Sequence, residues 1–190
     1  MSDKNERINA IAIDVLNLSR NTLIINLRFM DKAISMLKCQ SVPNLKAIAV
    51  DGSTIFYDPV LVLKNFSKEK RSLVRQYLHM VLHCVYQHFW VSTSVNQIYW
   101  NIACDIAVEY TINDIGYDVF QTEKSQKQKS ELDKLNRKVK YMTADMLYKY
   151  FMDEMHSEKE IKKYQKLFSE DAHDIWYLHK NWDIQSEKEN

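Results

Sequence analysis

Two histidines one helical turn apart, in His79-Met80-Val81-Leu82-His83, are the residues best spaced to do chemistry. On a helix, positions i and i+4 share a face, so both imidazoles can offer a nitrogen to one metal ion, as in the H-E-x-x-H arrangement of zinc sites. Six histidines in 190 residues would produce such a pair by chance roughly 0.2 times per chain. The pair therefore needs a third ligand from another element. Asp105 is the candidate, because it stands inside the apolar stretch Trp100-Asn101-Ile102-Ala103-Cys104-Asp105-Ile106-Ala107-Val108. A carboxylate buried without a counter-charge costs several kcal/mol, on the order given for unpaired buried ions. A metal held with His79 and His83 would supply that charge, and so would a buried arginine such as Arg28 or Arg75. His88 follows His79 by nine residues, about 180° round a continuous helix, and is read as structural. Tyr86 and Trp90 fall on the histidine face and would line a pocket mouth or belong to the core.

The elements that must hold these residues are mostly helical. With 2 Gly and 2 Pro in the chain, turns are few, and Leu, Ile, Lys, Glu and Met favour helix. Apolar periodicity predicts helices over 6–16 and 21–38. Ala47–Val50 and Thr54–Tyr57 flank Asp51-Gly52-Ser53 as a β-hairpin. Asp58-Pro59 opens a short helical turn, and Ser67 is read as the N-cap of a helix reaching Trp90. The next helix spans about 95–115, with Gly116 as its stop. Thr122–Lys140, with six Lys and one Arg against three acids, reads as a mobile charged surface loop (122–140). Helices over 143–155 and 157–168 follow. The fold class is thus mainly α with a small β-hairpin (α+β), in a single domain over 1–184 with a tail or linker at 185–190.

Composition narrows the setting. A net charge of +1 from 26 basic and 25 acidic side chains gives no field to draw nucleic acid or an anionic membrane. The N-terminus lacks the pattern of a signal peptide, and no run of about 18 apolar residues is evident. Cys39, Cys84 and Cys104 are an odd number in apolar segments, which suits free thiols and a cytoplasmic location.

Several short motifs, taken in order, resemble one family. They are Val50-Asp51-Gly52 leading to Phe56-Tyr57-Asp58-Pro59, then His79-x-x-x-His83, Trp100-Asn101-x-Ala103-x-Asp105, Thr143-Ala144-Asp145-x-Leu147-Tyr148 and Asp171-x-His173-x-x-Trp176. Together they are similar to the metallopeptidase-like domain found in front of von Willebrand factor A-like domains in bacteria. The resemblance implies a zincin-like helical core with zinc on His79, His83 and Asp105. It also implies that His173 approaches the site as a fourth ligand, as a partner of a ligand or as a transition-state donor. It further implies partnership with a von Willebrand factor A-like domain and a MoxR-type AAA+ ATPase.

Two positions depart from the family pattern. The glutamate expected after the first histidine is Met80, and an asparagine expected four residues after the aspartate is Glu109. In a zinc peptidase that glutamate takes a proton from water and delivers it to the leaving amine, which a thioether cannot do. The leading expectation is a metal-binding domain, inactive or impaired as a peptidase, that serves as an interaction module. The alternative is an active zinc peptidase with Glu109, or a residue of the 122–140 loop, as substitute base. Glu109 also reads as a further metal ligand or a salt-bridged carboxylate at the pocket edge. A third reading has His79, His83 and Asp105 as a metal-free hydrogen-bonded core.

Overall fold

The computed structural model describes residues 2–92, 94–154 and 157–178. The 185–190 tail lies outside them. The fold is mainly α with a small sheet, as the composition indicates: nine α-helices and three strands among the described residues. In the N-terminal half, α1 (Ser2–Asn26) and α2 (Asp31–Met36) lead into β1 (Lys38–Ser41), β2 (Ala49–Val50) and β3 (Thr54–Tyr57), and then into α3 (Pro59–Lys68) and α4 (Lys70–Val85). The C-terminal half holds α5 (Gln97–Ile115), α6 (Glu123–Asn136), α7 (Ala144–Glu154), α8 (Glu158–Phe168) and the short α9 (Ile175–Leu178).

Where the sequence predicts two N-terminal helices, α1 runs unbroken through Asn17–Thr22. The polar residues there do not end the helix because they bond back into it. Ser19 Oγ donates to Val15 O at 3.0 Å and Thr22 Oγ1 to Leu18 O at 2.8 Å, a pattern that leaves the helical backbone intact. Ala12, Leu16 and Leu23 bury one face of α1 against α3 and α4. An 18-residue window within Lys4–Asn26 reaches a mean hydropathy of 1.2. By length and composition α1 is thus long and apolar enough to cross a membrane, although no such run is expected from the sequence.

The expected hairpin is present, with Ala49 opposite Phe56 and Val50 opposite Ile55. A third strand, β1, pairs in parallel with β3, so the order is β1-β3-β2. Lys38–Ser41 carries no β-branched residue, and its strand conformation is imposed by pairing rather than by propensity. In the turn, Asp51 Oδ1 accepts from Ser53 N at 2.9 Å and Thr54 N at 2.8 Å. Gly52 adopts φ +99°, and a Cβ there would lie 2.7 Å from Phe89 Cζ.

Asp58 caps α3 by accepting from Leu61 N at 2.7 Å, with Pro59 at the first helical position. Ser67 lies within α3 rather than capping the next helix, and its hydroxyl donates to Lys64 O. The chain breaks at Glu69, in extended conformation, and α4 ends at Val85 rather than at Trp90. Asn96 caps α5, and Gly116 ends it at φ 72°.

The segment 122–140, expected as a mobile loop, is instead largely the helix α6. Thr122 and Ser125 form a reciprocal capping box at its start. Its buried face is Ser125, Gln128, Glu131, Leu132 and Leu135, at helical spacing but mostly polar, which hides the period from a hydrophobicity reading. Gln128 Nε2 donates to Leu167 O at 3.0 Å, and Glu131 pairs with Lys134 and Lys163.

Two apolar clusters result. The first joins α1–α4 and the sheet with Val108 and Ile112 of α5 and with Phe120, and the second joins the other face of α5 with α6–α9. Helices α4 and α5 pack together where the clusters meet. Replacing Gly52 by Ala strains the turn and displaces Phe89. It is expected to lower unfolding free energy by about 1–3 kcal/mol, read as the denaturant midpoint, and an unchanged midpoint would contradict this packing.

Candidate metal centre

The histidine face of α4 looks onto the Asp105–Glu109 face of α5, and the segment after α8 closes over both. That segment is fixed by its backbone and side chains. Ala172 N donates to Ile48 O at 2.8 Å, Trp176 Nε1 to Val50 O at 2.8 Å, and Gln76 Nε2 to Glu170 O at 2.7 Å. Asp171 and His173 are thereby held against the α4–α5 seam.

His79, His83, Asp105 and Asp171 each offer one ligand atom, and these four atoms lie within 4.8 Å of one another. His79 Nε2 is 3.4 Å from Asp105 Oδ1 and 3.5 Å from Asp171 Oδ1, while His83 Nε2 is 3.4 and 3.8 Å from the same atoms. A tetrahedron with zinc–ligand bonds of about 2.0–2.1 Å has edges of about 3.3–3.4 Å. The two Nε2 atoms are closer, at 2.8 Å. His173 Nε2 lies 3.0 Å from both Asp105 Oδ1 and Asp171 Oδ1. All five residues are buried.

The donor set fits a divalent cation. Asp105 Oδ1, both Asp171 carboxylate oxygens and His173 Nε2 are buried and make no well-directed hydrogen bond, the 3.0 Å contacts of His173 included, an arrangement whose cost a shared cation would remove. Burial works against charge here: it holds His83 below the usual imidazole range, but at Asp105 and His173 the facing groups outweigh it. The imidazoles, His173 foremost, hold the Asp105 carboxyl well below the usual carboxylate range. Asp105 and Asp171 in turn raise His173 to about 10 against its burial.

The far nitrogens of both His79 and His83 are engaged, as imidazoles that bind a metal require. His79 Nδ1 donates to Glu109 Oε1 at 2.9 Å. Glu109 Oε2 accepts from Arg75 Nε at 3.0 Å and Nη2 at 2.7 Å, and Arg75 Nη1 reaches Phe120 O at 2.9 Å. Glu109 is fully buried, one turn from Asp105 as expected, but both its oxygens are committed to Arg75 and His79. Arg75 is therefore the partner of Glu109 rather than of Asp105.

His88, expected on the opposite side of a continuous helix, comes back to His83, with 2.9 Å between the two Nδ1 atoms. The reason is the end of α4: Gln87 takes φ 56°, and His88 N donates to His83 O at 3.2 Å, a left-handed helix stop of the kind usually built on glycine. Burial and the neighbouring imidazoles push His88 down to about 3. It is therefore neutral, and its Nδ1 can accept from His83 Nδ1–H.

Met80 is fully buried in the first apolar cluster. Asp171 is the site residue that the sequence reading does not single out as a ligand. Its signal is the Asp171-x-His173-x-x-Trp176 motif, read there through His173 alone. Glu109→Gln removes the charged acceptor behind His79 and is expected to weaken binding of a divalent metal about 10- to 100-fold. Competition with a chromogenic chelator measures this, and unchanged affinity would show that Glu109 does not support the ligand.

No curated protein and no solved structure matches the chain. A family model described as "Putative metallopeptidase domain" matches residues 17–173, which takes in α4, α5 and the Asp171–His173 segment. The chain belongs to this metallopeptidase domain family.

Proposed function

We propose that the domain binds one zinc ion through His79, His83, Asp105 and Asp171, with His173 beside them, and does not hydrolyse peptides. The observation that carries this reading is the convergence of four buried ligand atoms within 4.8 Å beside a methionine in the position of the catalytic base. Two imidazoles and two carboxylates suit zinc.

In an active hydrolase of this class, zinc polarises a carbonyl and lowers the pKa of water, and a neighbouring carboxylate moves the proton. Here Met80 has no proton to move, and Glu109 is held by Arg75 and His79. The ligand residues are buried, and four protein ligands leave no open position of the kind a catalytic zinc keeps. The metal then fastens α4, α5 and the Asp171–His173 segment together, and the domain serves as an interaction module. The partner classes follow the resemblance, a von Willebrand factor A-like domain and a MoxR-type ATPase. Three free thiols accord with a cytoplasmic setting.

Zinc content and hydrolysis of a generic peptide substrate test the reading together, in wild type and in Met80→Glu. The expected result is one zinc per chain in the wild type and no hydrolysis by either protein. Hydrolysis by wild type that is lost in Glu109→Gln would establish the active-peptidase alternative. Hydrolysis gained by Met80→Glu would show that the metal is open to substrate and that only the base is missing.

A further inference from the structure

Beyond the metal centre, a pocket of about 610 Å³ opens between the end of α4, helix α5 and the start of α7, within the size range of small-ligand sites. Its walls include Tyr86, Trp90, Trp100, Tyr110, Met142 and the exposed Asp145. Four phenol and indole rings, the His88 imidazole and one carboxylate line it, and no lysine or arginine does. Asp145 is exposed and makes no ion pair among the described residues. Trp90 is 78% exposed, which leaves a large ring face available to a ligand.

The pocket is built rather than incidental. Tyr86 Oη and Thr111 Oγ1 are 2.9 Å apart, which ties the end of α4 to α5. Trp100 Nε1 donates to His88 O at 3.0 Å, and Trp90 N donates to Gln87 O at 3.0 Å. The left-handed Gln87 and the His83–His88 contact set this wall, so the strained turn positions the aromatic residues as well as His88.

We propose that this pocket binds the guanidinium side chain of an arginine presented by a peptide segment of a partner protein. Ring faces carry negative electrostatic potential and attract cations. A planar guanidinium can stack on indole or phenol while donating to a carboxylate, which a compact ammonium does less well. Asp145 supplies that carboxylate; no lysine or arginine lines the wall, and its one imidazole, the neutral His88, is buried in its contact with His83, so the cation meets no like-charged competitor. This chemistry is independent of whether the neighbouring site holds zinc.

Titration with N-acetyl-arginine N-methylamide, against its neutral citrulline counterpart, tests the proposal by following the tryptophan indole signals in ¹H–¹⁵N spectra. Trp90→Phe assigns the signal. The expected outcome is a saturable shift of Trp90 with the arginine compound, and at least about fivefold weaker binding of the citrulline compound. Asp145→Asn, at an exposed position that does not threaten folding, should weaken arginine binding by a similar factor. Failure of Trp90 to saturate, equal binding of both compounds, or unchanged binding by Asp145→Asn would each overturn the assignment.

Discussion

Two carboxylates, Asp105 and Asp171, are buried at the seam of the two apolar clusters with three imidazoles facing them. Isolated ionised groups in such an interior are costly enough to unfold a domain of ordinary stability. The arrangement persists only because charges of opposite sign converge on one point, and the rest of the architecture serves that convergence. Without a cation, protons on imidazoles such as His173 must balance the carboxylates. With one, a single divalent charge satisfies oxygen atoms that make no well-directed hydrogen bond. A metal bound there would stabilise the fold as well as complete the site.

The supports run outward in ordered layers. Arg75 holds Glu109, Glu109 fixes the His79 ring, and His88 fixes the His83 ring, so each ligand nitrogen is aimed by a bond at its far side. Backbone bonds from Ala172 to Ile48, and from the Trp176 indole to Val50, tie the last ligand segment to the small sheet. The sheet, which carries no ligand, therefore positions Asp171. The turn at Gly52 contributes through Phe89, which packs where a side chain would otherwise stand. Met80 lies on the apolar side of α4, where it adds to the core.

Much of this was legible in the sequence. The i, i+4 histidines and an aspartate in an apolar run locate two sides of the site, and Gly116 marks the end of the helix that holds Asp105. Three features escaped for physical reasons. His88 was assigned to the wrong face because the helix stops at Gln87, a residue with no obvious propensity for the left-handed region. α6 was hidden because Ser125 and Gln128 occupy buried positions of its helical face. Asp171 follows a long separation in sequence, and only tertiary hydrogen bonds bring it to α4 and α5.

The most direct test of the central claim is an anomalous difference map at the zinc edge, from crystals of the protein purified without added chelator. The account predicts one strong peak bounded by the Nε2 atoms of His79 and His83 and by the carboxylates of Asp105 and Asp171. A map with no peak there, or with zinc held by other residues, would contradict it.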